Sequence, residues 1–161
     1  MKLEIRGIRF SYDSIDALRD FTFRMQDAEI VGIIGPNGSG KTTLLKCINR
    51  KLVPQSGCIL LDNTKIQHLS RREIAKMVGV VPQMSAISFP FTVADIVLMG
   101  RTPYLKRFER LHKEDFEVAQ RMLKLTDIEH LAERPVTDVS GGEYQRVIIA
   151  RALAQEPLSL I

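Results

Sequence analysis

The run Gly35-Pro36-Asn37-Gly38-Ser39-Gly40-Lys41-Thr42 has the spacing GxxxxGK[ST], and those residue types in that order are suited to holding a polyphosphate. Glycines let a backbone approach a ligand closely or take positive φ. The N–H groups of such a loop wrap the phosphates, with the positive end of the following helix behind them. Lys41 is placed to reach the β- and γ-phosphates and the Thr42 hydroxyl to take one position on Mg²⁺. Thr43 adds a hydroxyl or amide contact to a phosphate nearer the ribose. Further along, Ser140-Gly141-Gly142-Glu143 offers a second helix N-terminus with a hydroxyl and two unhindered amides, again suited to an anion. An ordinary capped helix accounts for Ser140, but not for Gly-Gly, Gln145-Arg146 and Ala150-Arg151-Ala152-Leu153 together downstream of a phosphate loop.

The first motif needs a strand before it and a helix after it. Residues 29–34 form a short apolar run suited to a buried strand, and residues 41–49 have helical character. Residues 2–12 and 18–25 read as strands, as do 57–62. Ser70 and Glu73 have capping-box spacing, so a short helix is predicted over 70–77, followed by a buried strand over 78–81 that Pro82 ends. From Met84 the pattern turns helical. Phe89-Pro90-Phe91 is a loop, and Thr92 caps a helix to about Gly100. Residues 113–125 place Phe116, Ala119, Met122 and Leu123 on one face, and a further helix runs from Gly141 or Gly142 through Ala154.

Composition sets outer bounds. A chain of 161 residues, 45% hydrophobic, has apolar material for one domain's core, though a long nucleotide-binding domain needs more. The net charge of +4 comes from scattered basic residues without aromatic interleaving, the pattern of a solvated face and not of a nucleic-acid binder. Cys47 and Cys58 have no metal-ligand spacing and are too few for a disulfide framework, which points to a reducing compartment. The N-terminal residues lack a signal-peptide core, and no apolar run approaches the ~18 residues of a membrane span. Any work at a membrane then needs another chain to do the spanning.

Together these residues resemble the nucleotide-binding subunit of an ATP-binding cassette transporter, and the likeness runs essentially from end to end. The resemblance implies an α/β fold: a P-loop NTPase core with N-terminal antiparallel strands and an inserted helical subdomain. Residues 1–83 would be the core, 84–140 the helical subdomain, and 141–161 the signature helix and the start of the next strand, with the final strands of the core missing. It implies ATP and Mg²⁺ as ligands. Tyr12 would stack on adenine, where the alternative is a strand tyrosine packing on a neighbour. Gln83, after Val80-Val81-Pro82, would sense Mg²⁺, the attacking water and the membrane partner, and with Thr42 makes up the implied metal contacts. Val139 to Glu143 is similar to the family's signature motif, which faces the γ-phosphate held by the Lys41 loop of the opposite subunit in a head-to-tail dimer. Val139 stands where leucine is usual, and Glu143 where glutamine is common. The stretch 92–104 is similar to the corresponding segment of importers of iron-siderophore, haem or cobalamin, with Tyr104 where a histidine often follows the proline. Implied partners are integral membrane permease subunits, a second copy of the subunit and, indirectly, a solute-binding protein, with no nucleic acid. The implied location is peripheral, on the cytoplasmic face of the cell membrane.

The family's remaining chemistry would follow Glu156-Pro157: a strand ending in an aspartate that orders Mg²⁺, a glutamate general base, and a switch histidine. Residues 158–161 would begin that strand, and neither the base nor the switch has a position here. His68, His112 and His130 precede the signature and are expected at the surface. These 161 residues alone are therefore expected to bind Mg-ATP weakly and to hydrolyse it negligibly. Three readings stay open: the ATPase subunit of a chelate importer, a non-transport ATPase of the same class, and a non-catalytic remnant. The absence of a long coiled-coil insertion between Lys41 and Ser140 argues against a DNA-repair type.

Overall fold

The computed structural model describes residues 2–83 and 89–161, and the chain divides into two compact units, Met1–Ile74 and Ala75–Ile161. The start of the helical stretch read from Met84 lies outside the described residues.

In the first unit, β1 (Leu3–Tyr12), β2 (Ile15–Met25), β3 (Ser56–Leu61) and β4 (Thr64–Lys65) form an antiparallel sheet in the order β2-β1-β3-β4. Strand side chains alternate between faces, so Leu3 and Ile5 fall on the buried side. A register shift between Ile5 and Ile8 restores the alternation, and Ile8 is buried as well. β3 buries Ile59 and Leu61 beside them. Helix α1 (Lys41–Ile48) buries Thr43, Leu44, Cys47 and Ile48, one stripe at helical period. Burial also pushes the Cys47 thiol up to about 11, which keeps it protonated and inert. Helix α2 (Arg71–Met77) starts at the predicted capping box: the Ser70 amide donates to Glu73 Oε2 at 2.6 Å and the Glu73 amide to Ser70 Oγ at 3.2 Å.

Residues 29–34 overturn their expectation. They form no strand and every one is exposed, with Ile30 at 102% and Ile34 at 97%. An apolar run becomes a strand only when a neighbour supplies ladder hydrogen bonds and a covering surface. No described residue pairs with this run, so apolar character alone leaves it irregular and exposed.

The second unit is mainly helical. Short strand β5 (Val78–Gly79) pairs in parallel with β6 (Ser159–Leu160). The ladder continues through the Ile161 amide to the Gly79 carbonyl at 2.9 Å and the Val81 amide to the Ile161 carbonyl at 2.8 Å. The strand expected over 78–81 is thus shorter, with one further bond at Val81. Helix α3 (Val93–Leu98) carries a complete capping box from Thr92 and Asp95 and runs on as a tighter 3₁₀ turn over Met99–Tyr104. Helices α4 (Lys113–Leu125) and α5 (Gly141–Leu153) pack with α3 around Val93, Ile96, Val97, Ala119, Leu123 and Val147. On α4 the buried stripe is turned toward Val118, so Phe116 falls at its edge and is 51% exposed, contrary to its assignment to the apolar face. His68, His112 and His130 are all exposed.

Candidate functional site

The phosphate-loop residues lie in the first unit, between the exposed run 29–34 and α1. A turn closes the loop, the Ser39 amide donating to the Pro36 carbonyl at 3.3 Å. Gly40 caps α1 with φ 86°, in the left-handed region, and a Cβ there would meet the Ala17 carbonyl oxygen at 2.3 Å. Only glycine fits that position. The residues from Gly35 through Ser39 are exposed. Lys41 Nζ is folded back on the loop, donating to the Gly35 and Pro36 carbonyls at 2.7 Å each and to Ser39 Oγ at 3.3 Å.

The start of α1 carries no side-chain cap and no acidic residue in its first turn. The first N–H groups of a helix have no partner within it, and the macrodipole places partial positive charge there. This terminus therefore fits an anion. The Thr42 hydroxyl is exposed beside it and is the type of hard oxygen donor that Mg²⁺ takes, one or two protein ligands alongside phosphate oxygens. Among the described residues no three His, Cys, Asp or Glu side chains cluster as a metal site.

Tyr12, at the end of β1, is brought to the same place. Thr43 Oγ1 and the Tyr12 hydroxyl are 3.5 Å apart, and the Tyr12 ring stands edge-on to Phe10 at 4.9 Å. Tyr12 remains 44% exposed, so part of it is accessible to a planar ligand.

The other predicted site residues lie in the second unit. Gln83 is exposed, just past the Val81 amide that extends the β5 ladder. Ser140 caps α5 in a full capping box: its Oγ accepts from the Glu143 amide at 3.3 Å, and Glu143 Oε2 accepts from the Ser140 amide at 2.7 Å. The Ser140 amide, and then its hydroxyl, hold the Glu143 carboxyl below the ordinary glutamate value. Gly141 and Gly142 are exposed, with open space where a Cβ would stand.

The family model for ABC transporters matches residues 18–161. The chain belongs to the ABC transporter family. Among ABC relatives, an uncharacterised ABC transporter ATP-binding protein of Methanocaldococcus jannaschii is 45% identical over all 161 residues, which cover 62% of that protein. The cobalamin import ATP-binding protein of Halobacterium salinarum is 38% identical over 96% of this chain and 38% of its own length. The ferric enterobactin transport ATP-binding protein of Escherichia coli is 37% identical over 94% of this chain and 57% of its own length. The chain thus spans between 38% and 62% of the length of these curated relatives. In structure it is similar to an ATP-binding cassette of an ABC transporter in its ADP conformation, with TM-score 0.84, 26% identity, and 98% of this chain and 66% of that one covered. It is also similar to cbiO1 of Clostridium perfringens, part of the cbiONQ transporter complex, with TM-score 0.81, 30% identity and coverage of 98% and 63%. The fold expected from the sequence, that of an ABC ATPase domain, is the fold found, and nucleotide binding goes with the family. No described helix is long and apolar enough to cross a membrane.

The sequence reading gave no role to one buried group in this ABC domain, Arg101. Its partners Asp115 and Glu156 lie 14 and 55 residues away, and no local spacing announces such a cluster. The one available signal was an arginine directly after the apolar helix that Thr92 starts.

Proposed function

We propose that this chain is the ATP-binding part of an importer's ATPase subunit, acting with integral membrane permease subunits in the uptake of an iron-siderophore, haem or cobalamin type of chelate. The open N-terminus of α1 carries the ATP-binding part of this reading, being uncapped, free of acidic residues and flanked by Lys41 and Tyr12. The cargo class is supported by the names of relatives, among them cobalamin, hemin and ferric enterobactin systems, and by the stretch 92–104.

In this reading the amides of residues 35–41 take the β- and γ-phosphates and the exposed Tyr12 ring takes adenine. Lys41 gives up two neutral carbonyls and a hydroxyl for phosphate oxygens, so its ammonium, charged in both arrangements, exchanges neutral acceptors for an anionic one. Thr42 would supply a hard oxygen donor for Mg²⁺, which when bound would offset phosphate charge, and Gln83 is the second donor that the family resemblance implies. Ser140, Gly141 and Gly142 of a second copy close on the γ-phosphate. The Ser140 hydroxyl, which holds the Glu143 carboxylate, would turn its proton from that carboxylate to the phosphate while its oxygen goes on accepting from the Glu143 amide. Hydrolysis and transport belong to the whole polypeptide with its permease and a solute-binding protein, peripherally on the cytoplasmic face of the membrane.

Calorimetric titration of Mg-ATP into the protein and its Lys41→Ala variant tests the reading. The expected loss of affinity is between about tenfold and about a hundredfold, the worth of hydrogen bonds from a charged donor. A wild-type protein that takes up no ATP, or a variant that binds as tightly, would sink it.

A further inference from the structure

The second unit contains a charge cluster with a buried centre, Arg101 and Asp115, and a half-exposed rim, Glu156 and Arg121, for which phosphate binding has no use. Arg101 is 6% exposed and Asp115 5%. Arg101 Nε donates to Asp115 Oδ1 at 2.9 Å, while its Nη1 donates to the Ala154 carbonyl at 2.8 Å and to Glu156 Oε2 at 2.9 Å. The other Glu156 oxygen accepts from Arg121 Nη2 at 3.0 Å. The Arg101 guanidinium also lies 3.9 Å from the centre of the Tyr104 ring, and the Tyr104 hydroxyl donates to the Gln155 carbonyl at 2.8 Å. Burying an arginine is costly unless every donor is well directed. Apart from the Asp115 bond, the hydrogen bonds from Arg101 and Tyr104 converge on three successive residues, Ala154, Gln155 and Glu156, where α5 ends.

Those residues need holding. Past the end of α5 the helix no longer supplies backbone partners, and the carbonyls of Ala154, its C-cap, and Gln155, the next residue, accept instead from Arg101 and Tyr104. Glu156 has φ 46°, in the left-handed region where glycine is the usual helix stop, and it keeps that conformation with its carboxylate gripped by two arginines. Pro157 and Leu158 follow, and the chain then enters β6 and pairs with β5. Nearby, a Cβ on Gly100 would meet the Arg151 carbonyl oxygen at 2.3 Å, so the turn Met99–Tyr104 lies against the last turn of α5 backbone to backbone.

We propose that Arg101 is a positioning residue: through Glu156 it fixes the left-handed turn after α5, and so the register in which residues 159–161 pair with β5. A displacement of Met99–Tyr104 then reaches the β5 ladder, from whose far side Gln83 departs. The functional consequence rests on the transporter reading, in which the stretch 92–104 meets the permease; the geometry does not.

Hydrogen exchange by NMR on the full chain tests this at two amides, Val81 and Ile161, which donate across the ladder. Arg101→Lys and Glu156→Gln are each expected to speed exchange there about tenfold while Val97 and Ala119, in the helical core, stay as in the wild type. Glycine takes the left-handed turn unaided, so Arg101→Lys combined with Glu156→Gly is expected to return both amides to near the wild-type rate. Unchanged exchange in Arg101→Lys and Glu156→Gln overturns the proposal, as does a failure of glycine to rescue. Faster exchange spread equally through Val97 and Ala119 also overturns it, since that marks a loss of stability without positioning. ATP affinity measured on the same wild-type sample separates the two readings: its absence sinks the ATPase reading and leaves the exchange result standing.

Discussion

Helices α1 and α5 both begin at a serine-and-glycine stretch, yet their N-termini are built in opposite ways. At α1 the cap is Gly40, left-handed, with no side-chain bond and no acid in the first turn. At α5 the cap is Ser140, extended, locked in a reciprocal box with Glu143, whose carboxylate sits on the positive end of the helix. The first arrangement leaves donors and dipole for an outside anion. The second spends part of both on its own side chains. A terminus of the first kind is suited to hold a polyphosphate by itself. One of the second kind has a negative charge already in place, and suits a ligand that another surface is holding, as in the proposed dimer.

The largest way to break this contrast is Gly40→Ala. A left-handed alanine costs about 1–2 kcal/mol before any contact is counted, and its Cβ would meet the Ala17 carbonyl oxygen at 2.3 Å, backbone that does not yield easily. A loss of roughly 2 kcal/mol or more is expected in urea unfolding, in the range of strain at a special backbone position. ATP affinity is expected to fall with it. A variant with the wild-type midpoint and wild-type affinity would show that the open terminus does not depend on this glycine. Ser140→Ala probes the other side. Loss of a serine cap costs about 1 kcal/mol, and Ser140→Gly only a few tenths, so the two variants are expected to separate in the urea midpoint followed by circular dichroism. If Ser140→Ala matches the wild type, the box contributes nothing and the α5 terminus is as open as that of α1.

Local chemistry was legible in the sequence, and what depends on a distant partner was not. The strands β1, β2 and β3, the capping box at Ser70 and the helix from Thr92 follow from spacings of two to four residues, and each is found. The GxxxxGK[ST] spacing is legible for the same reason, and the structure adds that Tyr12 stands beside Thr43. Residues 29–34 failed because strandhood is a property of a pair: apolar side chains say that a segment wants cover, and Ile30 and Ile34 have none. Phe116 failed because periodicity gives a stripe and not its centre; packing against α3 and α5 turned the stripe toward Val118. Arg101 was illegible as a hub, since its partners come from α4 and from the turn after α5. The Ser140–Glu143 box was within reach, having the same spacing as Ser70–Glu73.

The smallest expected effect is also the one that most sharpens the contrast between the termini. The Ser140 amide, followed by its hydroxyl, lowers the Glu143 carboxyl from its ordinary value of 4.5. The folded state therefore binds fewer protons than the unfolded one at mildly acid pH, and stability rises with pH in that window. The contribution of the box is fully present above 4.5 and is lost as pH falls through the lowered folded value. Glu143→Gln keeps an acceptor for the Ser140 amide but has nothing to titrate. Its urea midpoint is expected to change less than that of the wild type as pH is lowered from neutral through the ordinary glutamate value and below it. At neutral pH the same substitution removes a negative charge from the α5 terminus, so inorganic phosphate is expected to bind there more tightly than in the wild type, by a factor that shrinks with added salt. Parallel pH profiles for the two proteins would mean that Glu143 does not spend its charge on Ser140, and the difference between an open and a self-capped terminus would then reduce to the left-handed glycine at Gly40.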